Sequence, residues 1–148
     1  AINSPGIISE ASAKYGSSTV VVSIDYKKDN EAYFVWTNSG KEKTNLDPVK
    51  WAIECEKNGA GEILLCSIDR DGTNTGLDLV LTQRVSQAVS IPVITSGGCG
   101  LASHFSEGFI KGNAHAVSAG TYFCFKDQSF MQVRAHVNNA GIPTRLHT

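Results

Sequence analysis

The chain has 148 residues, with 13 Lys plus Arg against 14 Asp plus Glu for a formal charge of −1, and it is 41% hydrophobic and 18% charged. A chain of this ordinary composition fits one domain that buries roughly 68–70% of the surface its unfolded form exposes, which excludes a disordered or fibrous chain. The balanced charge leaves no basic face to neutralise nucleic-acid phosphates, and no apolar run approaches the ~20 residues that span a bilayer, so neither nucleic acid nor membrane is expected as a partner.

Along the chain, Ala1-Ile2-Asn3-Ser4-Pro5 has neither a basic n-region nor an apolar h-region, and a cytoplasmic protein is expected. Ile7, Ile8, Ala11 and Tyr15 then predict a short amphipathic helix ending at Gly16. Thr19-Val20-Val21-Val22-Ser23-Ile24 lacks alternation and stops at Asp25, which reads as a strand buried on both faces. In the long loop that follows, Tyr33-Phe34-Val35-Trp36 predicts a small extra strand between Asp29-Asn30 and Ser39-Gly40. Asp47-Pro48 supplies an N-cap and a first-turn proline for a helix through Trp51, Ile53 and Cys55 to Gly59. Ile63-Leu64-Leu65-Cys66-Ser67-Ile68 is the second buried strand, ending at Asp69, and Leu79, Val80, Val85 and Val89 form the next helical stripe. Ile91-Pro92-Val93-Ile94-Thr95 leads into Ser96-Gly97-Gly98, followed by a helix carrying Phe105 and Phe109 and closed by Gly112. The fourth strand, Ala114 to Ala119, ends at Gly120, and a last helix with Phe130, Val133 and Val137 runs between Ser129 and Gly141. Cys55, Cys66, Cys99 and Cys124 form no C-x-x-C pair and sit in apolar contexts, which reads as four buried reduced thiols.

Four buried strands alternating with helices predict an α/β domain with a parallel sheet, because parallel neighbours require crossover helices. Ser23-Ile24-Asp25 and Ser67-Ile68-Asp69 repeat one tripeptide at successive strand ends, as a duplicated βα unit would. Polar and glycine residues gather at the same ends: Asp25, Asp69 to Thr73, Ser96 to Gly100, and Gly120-Thr121. In a parallel barrel these ends share one face, so residues distant in sequence converge on one mouth. Gly97-Gly98 offers unobstructed backbone N–H groups suited to a phosphate, or serves simply as a tight turn; Asp71-Gly72 and Gly120-Thr121 on the flanking strands favour the first. Asp25 suits a general acid or base or a turn cap, and the residues alone leave both open. One of Asp69 and Asp71 is expected to pair with Arg70. His104, His115, His136 and His147 lack metal-ligand spacing and read as structural or surface residues.

Val20 to Asp25, the string Gly59-Ala60-Gly61-Glu62-Ile63-Leu64-Leu65-Cys66-Ser67-Ile68-Asp69-Arg70-Asp71-Gly72-Thr73, and Ile91 to Gly100 closely resemble the cyclase subunit (HisF) of imidazole glycerol phosphate synthase. The resemblance runs from Ile2-Asn3-Ser4 to Gly141-Ile142-Pro143-Thr144-Arg145. It implies a TIM-type (βα)₈ barrel of histidine biosynthesis that takes ammonia from a glutaminase partner and turns a bisphosphorylated ribonucleotide into imidazole glycerol phosphate, with no metal or cofactor. By the same resemblance Asp25 is the catalytic acid/base; Asp71, Gly72, Gly98, Gly120 and Thr121 bind a substrate phosphate; and Asn3 with Ser4 belong to the other phosphate site. Thr37 and Ser39 fall in a mobile loop region, and Glu62 at the ammonia entrance on the opposite face. Matched to this family, residues 1–148 form one (βα)₄ half-barrel, with 1–18 a remnant of the fourth βα unit and 19–148 the fifth to eighth. The first-strand catalytic aspartate has no counterpart. Four strands leave two open sheet edges, so a homodimer closing eight strands is expected. Ala119 to Gln128 is more similar to the HisF-like paralogues that amidinate amino sugars in lipopolysaccharide clusters, which gives the alternative function; a non-catalytic phosphate-binding half-barrel is the other.

Overall fold

A computed structural model of the chain describes residues 1–125 and 129–144. The prediction made for His147 lies outside them. Helix α1 (Gly6–Tyr15) and a single 3₁₀ turn (Ser17–Thr19) precede β1 (Val21–Asp29), β2 (Ala32–Thr37) and the two-residue β3 (Glu42–Lys43). Then follow α2 (Pro48–Lys57), β4 (Glu62–Ser67), α3 (Leu79–Ala88), β5 (Val93–Ser96), α4 (Ala102–Ile110), β6 (Ala116–Ser118), α5 (Gly120–Phe125) and α6 (Phe130–Asn139). The strand order is β3-β2-β1-β4-β5-β6. β1, β4, β5 and β6 run parallel, while β2 and β3 add an antiparallel hairpin to the far half of β1. This is an α/β fold with a predominantly parallel sheet, consistent with a TIM-type barrel family.

Local chemistry sets the helix starts. Asp47 accepts from the amides of Val49 and Lys50 at 2.9 and 3.0 Å, with Pro48 in the first turn where its missing N–H leaves no gap. Ser129 and Gln132 exchange side-chain and backbone bonds in a capping box at the start of α6. Asp78, itself buried, accepts from Leu81 N–H at 3.2 Å to open α3.

The core lies on one face of the sheet. Val22, Ile24 and Tyr26 of β1, Ile63 and Leu65 of β4 and Val93 of β5 pack against Trp51, Ala52 and Cys55 of α2 and Leu81 and Val85 of α3. Each large aliphatic side chain withdrawn fully from water contributes roughly 1.5–3 kcal/mol. A second cluster joins Phe105 of α4, Tyr122 of α5, and Val133 and Val137 of α6, with the Phe105 and Tyr122 rings edge to face at 5.2 Å.

Several expectations are corrected. The strands are not buried on both faces: along β1, Val22, Ile24 and Tyr26 are buried whereas Val21 is 49% exposed and Ser23 is exposed. β4 and β5 alternate in the same sense between buried and half-buried. Only one layer of helices covers the sheet among the described residues, so every second side chain faces outward. β1 also does not stop at Asp25, because pairing with β2 carries it on to Asp29. In α3 the buried stripe is Leu81, Thr82, Val85 and Ser86, and Val80 is 63% exposed, since the register is set by the cap at Asp78. Of the α1 stripe only Ile8 is buried; Ile7 and Tyr15 are exposed on a helix with little sheet beneath it. Cys55 and Cys99 are buried as expected, but Cys66 is half-buried on the outward face and Cys124 is exposed. Burial pushes the Cys55 thiol up to about 12.

Candidate active site

The uncovered face of the sheet is ordered in layers. Parallel register pairs Asp25 with Cys66, Cys66 with Ser96, and Ser96 with Ser118, which gives a polar row near the carboxyl ends of the strands. One layer down, the register aligns Ser23, Leu64, Ile94 and Ala116. Asp25 therefore stands inside a strand, fixed by ladder hydrogen bonds, with its side chain in the polar row. Ser23 Oγ donates to Asp25 Oδ1 at 3.4 Å and lies 3.8 Å from Cys66 Sγ. Burial pushes the Cys66 thiol up and the negative charges of Asp25 and Asp71 add to that, against hydrogen bonds from Ser23 and Ser96. At neutral pH this thiol is a neutral wall group rather than a nucleophile.

Three concavities surround the row. One of about 470 Å³ is bounded by Asp25, Cys66, Ser96, Asp71 and, from the hairpin side, Ser39 and Gly40. On the other side of Asp25, a second of about 330 Å³ is lined by Asn3, Thr37, Trp36 and Trp51. The third is a narrow cleft of about 10 Å³ between Asp71, Gly72, Gly98, Gly120 and Thr121. A cleft of that size holds about one water-sized centre, too little to enclose a whole phosphate. Gly98 requires glycine: its φ is +98°, and a Cβ on it would sit 2.3 Å from Gly76 O, which itself belongs to a turn closed by Gly76 N–H donating to Gly98 O at 2.8 Å.

The structure thus gathers Asp25, Asp71, Gly72, Gly98, Gly120, Thr121, Asn3, Thr37 and Ser39 at one end of the sheet. Ser4 does not join them; its carbonyl takes the amide of Ile7 at the start of α1. Glu62 faces the same side of the sheet but four residues before Cys66 on β4, about 13 Å away at the opposite strand end. Gly120 and Thr121 begin α5, a short helix that the strand reading did not anticipate. The expected ion pair of Arg70 with Asp69 or Asp71 is absent from the described residues. Asp69 instead accepts the Lys28 amide at 2.7 Å, tying the hairpin to the end of β4, and Arg70 donates to Gly76 O at 3.1 Å. His104 accepts the amides of Gly100 and Leu101 at 3.1 and 3.3 Å, and His115 accepts that of Val93, both structural uses. Among the described residues no group of three His, Cys, Asp or Glu side chains could hold a metal ion. Nor is any helix long and apolar enough to cross a membrane.

Cys66 was not singled out at this mouth and Ser96 was read only as part of its strand end; neither they nor Lys27, two residues beyond Asp25 on β1, were placed beside Asp25. Their signal was present in the two-residue step from Asp25 along β1 and across the register from it, but a strand read as buried on both faces conceals which side chains share its outward face.

A family model described as "Histidine biosynthesis protein" matches residues 1–129. The chain is 48% identical over 148 residues to the imidazole glycerol phosphate synthase subunit HisF of Clostridium botulinum, covering 99% of this chain and 58% of that protein. It is 46% identical over 147 residues to the HisF subunit of Bacillus licheniformis, covering 98% and 58%. To a putative imidazole glycerol phosphate synthase subunit hisF2 of Prochlorococcus marinus it is 46% identical over 147 residues, covering 99% and 56%. The chain therefore spans a little over half the length of these curated relatives. With a predominantly parallel α/β sheet, a family match over residues 1–129 and identities of 46–48% over nearly the whole chain, the chain belongs to the histidine biosynthesis protein family and is a HisF-like member of it.

Proposed function

We propose that the chain supplies one half of a HisF-type cyclase site that acts in the cytoplasm on a bisphosphorylated ribonucleotide, using ammonia from a glutaminase partner to form imidazole glycerol phosphate. One observation carries this reading: Asp25, inside β1, and the Asp71, Gly72, Gly98, Gly120, Thr121 cleft, from the loops after β4, β5 and β6, open on the same mouth. Asp25 is the acid/base group. Its carboxylate, oriented by Ser23, takes up and returns the protons released as ammonia adds and the ring closes. One substrate phosphate rests against the glycine cleft, where backbone N–H groups and the Thr121 hydroxyl supply donors without a bulk positive charge. Asn3 reaches the cavity on the other side of Asp25 and serves the second phosphate there; Ser4 takes no part. The glutaminase partner seats at the opposite strand end, near Glu62, so that ammonia enters beneath the polar row.

The outward sheet face, with Val21 half-exposed and Leu64 and Ile94 only partly covered, needs four further strands. A second copy related by a twofold axis supplies them, placing a second Asp25 across the mouth and completing a single (βα)₄ + (βα)₄ barrel. A native mass of one chain by light scattering would overturn that closure. Ammonia-dependent turnover of the bisphosphate substrate tests the chemistry: it is expected in the wild-type chain and lost in Asp25→Asn, with inorganic phosphate binding retained. Turnover undiminished by Asp25→Asn refutes the assignment.

A further inference from the structure

The hairpin turn beside the cavity is held in a conformation that its residues disfavour. Asn38, Ser39 and Gly40 have φ values of 51°, 57° and 75°, so two successive non-glycine residues occupy the left-handed region. Such a run persists only where surrounding contacts over-determine it. Three contacts do so here. Lys41 N–H donates back to Thr37 O at 3.1 Å. Gly40 packs against Ile68 so closely that a Cβ would lie 3.1 Å from its Cδ1. Lys27 Nζ donates to Gly40 O at 3.2 Å in a partly buried setting.

Lys27 stands two residues beyond Asp25, on the same face of β1. Its ammonium also lies 4.0 Å from the centroid of the Trp36 ring. Among the described residues the ion pairs are Lys43 with Asp29 and Lys111 with Glu107, so Lys27 has no carboxylate partner there. One cation thus joins β1, the Trp36 ring of β2 and the carbonyl of the turn, through a charge-assisted hydrogen bond and a cation–π contact. The turn that it holds places Ser39 and Gly40 in the cavity that also contains Asp25 and Asp71.

We propose that Lys27 is a positioning residue of this site: its ammonium straps the 38–40 turn in place as the hairpin-side wall of the Asp25 cavity. The strap stands on this geometry alone, whereas its effect on catalysis rests on the cyclase reading. Hydrogen–deuterium exchange of the full chain tests it. In Lys27→Met, which keeps the aliphatic stem and removes the charge, exchange over residues 37–41 is expected to rise about tenfold or more while β4 and β5 are unchanged. Lys27→Arg keeps a cation that stacks on the indole and donates to a carbonyl, and is expected to stay within about threefold of wild type. Unchanged exchange in Lys27→Met, or equal loosening in Lys27→Arg, overturns the proposal. Should Lys27→Met not fold, Trp36→Leu removes the seat of the cation, and the same local loosening is expected; its absence is equally decisive. In turnover assays Lys27→Met is expected to raise KM several-fold with kcat within about twofold, since the reacting groups are untouched. Absence of wild-type turnover would refute the cyclase reading and leave the exchange result to decide the strap.

Discussion

Gly98→Ala separates backbone strain from steric conflict at the cleft proposed for phosphate. Gly98 has φ +98°, and an L residue held in left-handed backbone costs roughly 1–2 kcal/mol. Its added Cβ would also sit 2.3 Å from Gly76 O and 2.9 Å from Arg70 Cβ. The first of these is backbone already committed to the Gly76 N–H to Gly98 O bond at 2.8 Å, so relief means prising the two loops apart. Overpacking of that kind costs roughly 1–3 kcal/mol. The sum, about 2–5 kcal/mol, is a large part of the roughly 5–15 kcal/mol that holds a domain together. Gly72→Ala is the internal reference: φ is +75° but nothing lies within 4 Å of the new methyl, so only the conformational cost of about 1–2 kcal/mol applies. Gly120→Ala meets nothing within 4 Å either and gains helix propensity in α5, so stability should hold or rise by up to ~1 kcal/mol. Urea denaturation midpoints rank the three, and isothermal titration with inorganic phosphate reads the cleft. Gly98→Ala is expected to be the least stable and to lose phosphate binding. Equal midpoints for Gly98→Ala and Gly72→Ala would refute the steric argument.

Three further outcomes are expected. In a thiol-reagent assay Cys124 reacts first and Cys66 more slowly, while Cys55 and Cys99 react only as the protein unfolds; two further fast thiols would contradict the burial. The buried bond from Tyr33 OH to Asp78 Oδ1 at 3.3 Å pins the hairpin to α3. Tyr33→Phe should cost about 1 kcal/mol and Asp78→Ala about 2–4 kcal/mol, through loss of the cap and the stranded hydroxyl. The double variant should cost less than the sum, and strict additivity in denaturation would deny the coupling. Finally, Cys55 has its thiol raised from 9.0 to about 12 by burial, so the folded state keeps a proton that the unfolded chain releases. Its contribution is intact below pH 9 and falls as pH rises from 9 towards 12, by about 1.4 kcal/mol per unit. Denaturation between pH 8 and 10.5 should show a shallower decline in Cys55→Ala, and identical slopes would refute it.

Much of the candidate site's placement was legible in the residues. Asp25, Asp71-Gly72, Gly97-Gly98 and Gly120-Thr121 each follow an apolar run, and parallel strands bring such ends to one face whatever the details of packing. The extra strand Tyr33 to Trp36 was legible from its aromatic run between turn residues, and it is β2. Partnerships were not legible. Arg70 lies between two aspartates, yet binds a carbonyl six residues on, because the turn from Asp71 to Gly76 folds back over it. Lys27 looks like an ordinary strand-end lysine until the hairpin closes and brings Gly40 and Trp36 to it.

The sequence by itself determined most of the strands and helices, where caps start them and which strand ends gather polar and glycine residues, because these follow from local hydrogen bonding and the period of apolar residues; α5 and the extension of β1 to Asp29 were not legible in it. It did not determine which strand faces are covered. Val20-Val21-Val22 is apolar throughout, yet Val22 is buried and Val21 half-exposed, since burial depends on whether another layer packs against each side. Only the tertiary structure decided that one face of the sheet carries the core, and that the other sets Asp25, Cys66, Ser96 and Ser118 in a polar row. The physical reason is that a side chain's neighbours across a sheet come from register and from the layers packed on it, which join residues far apart in the chain.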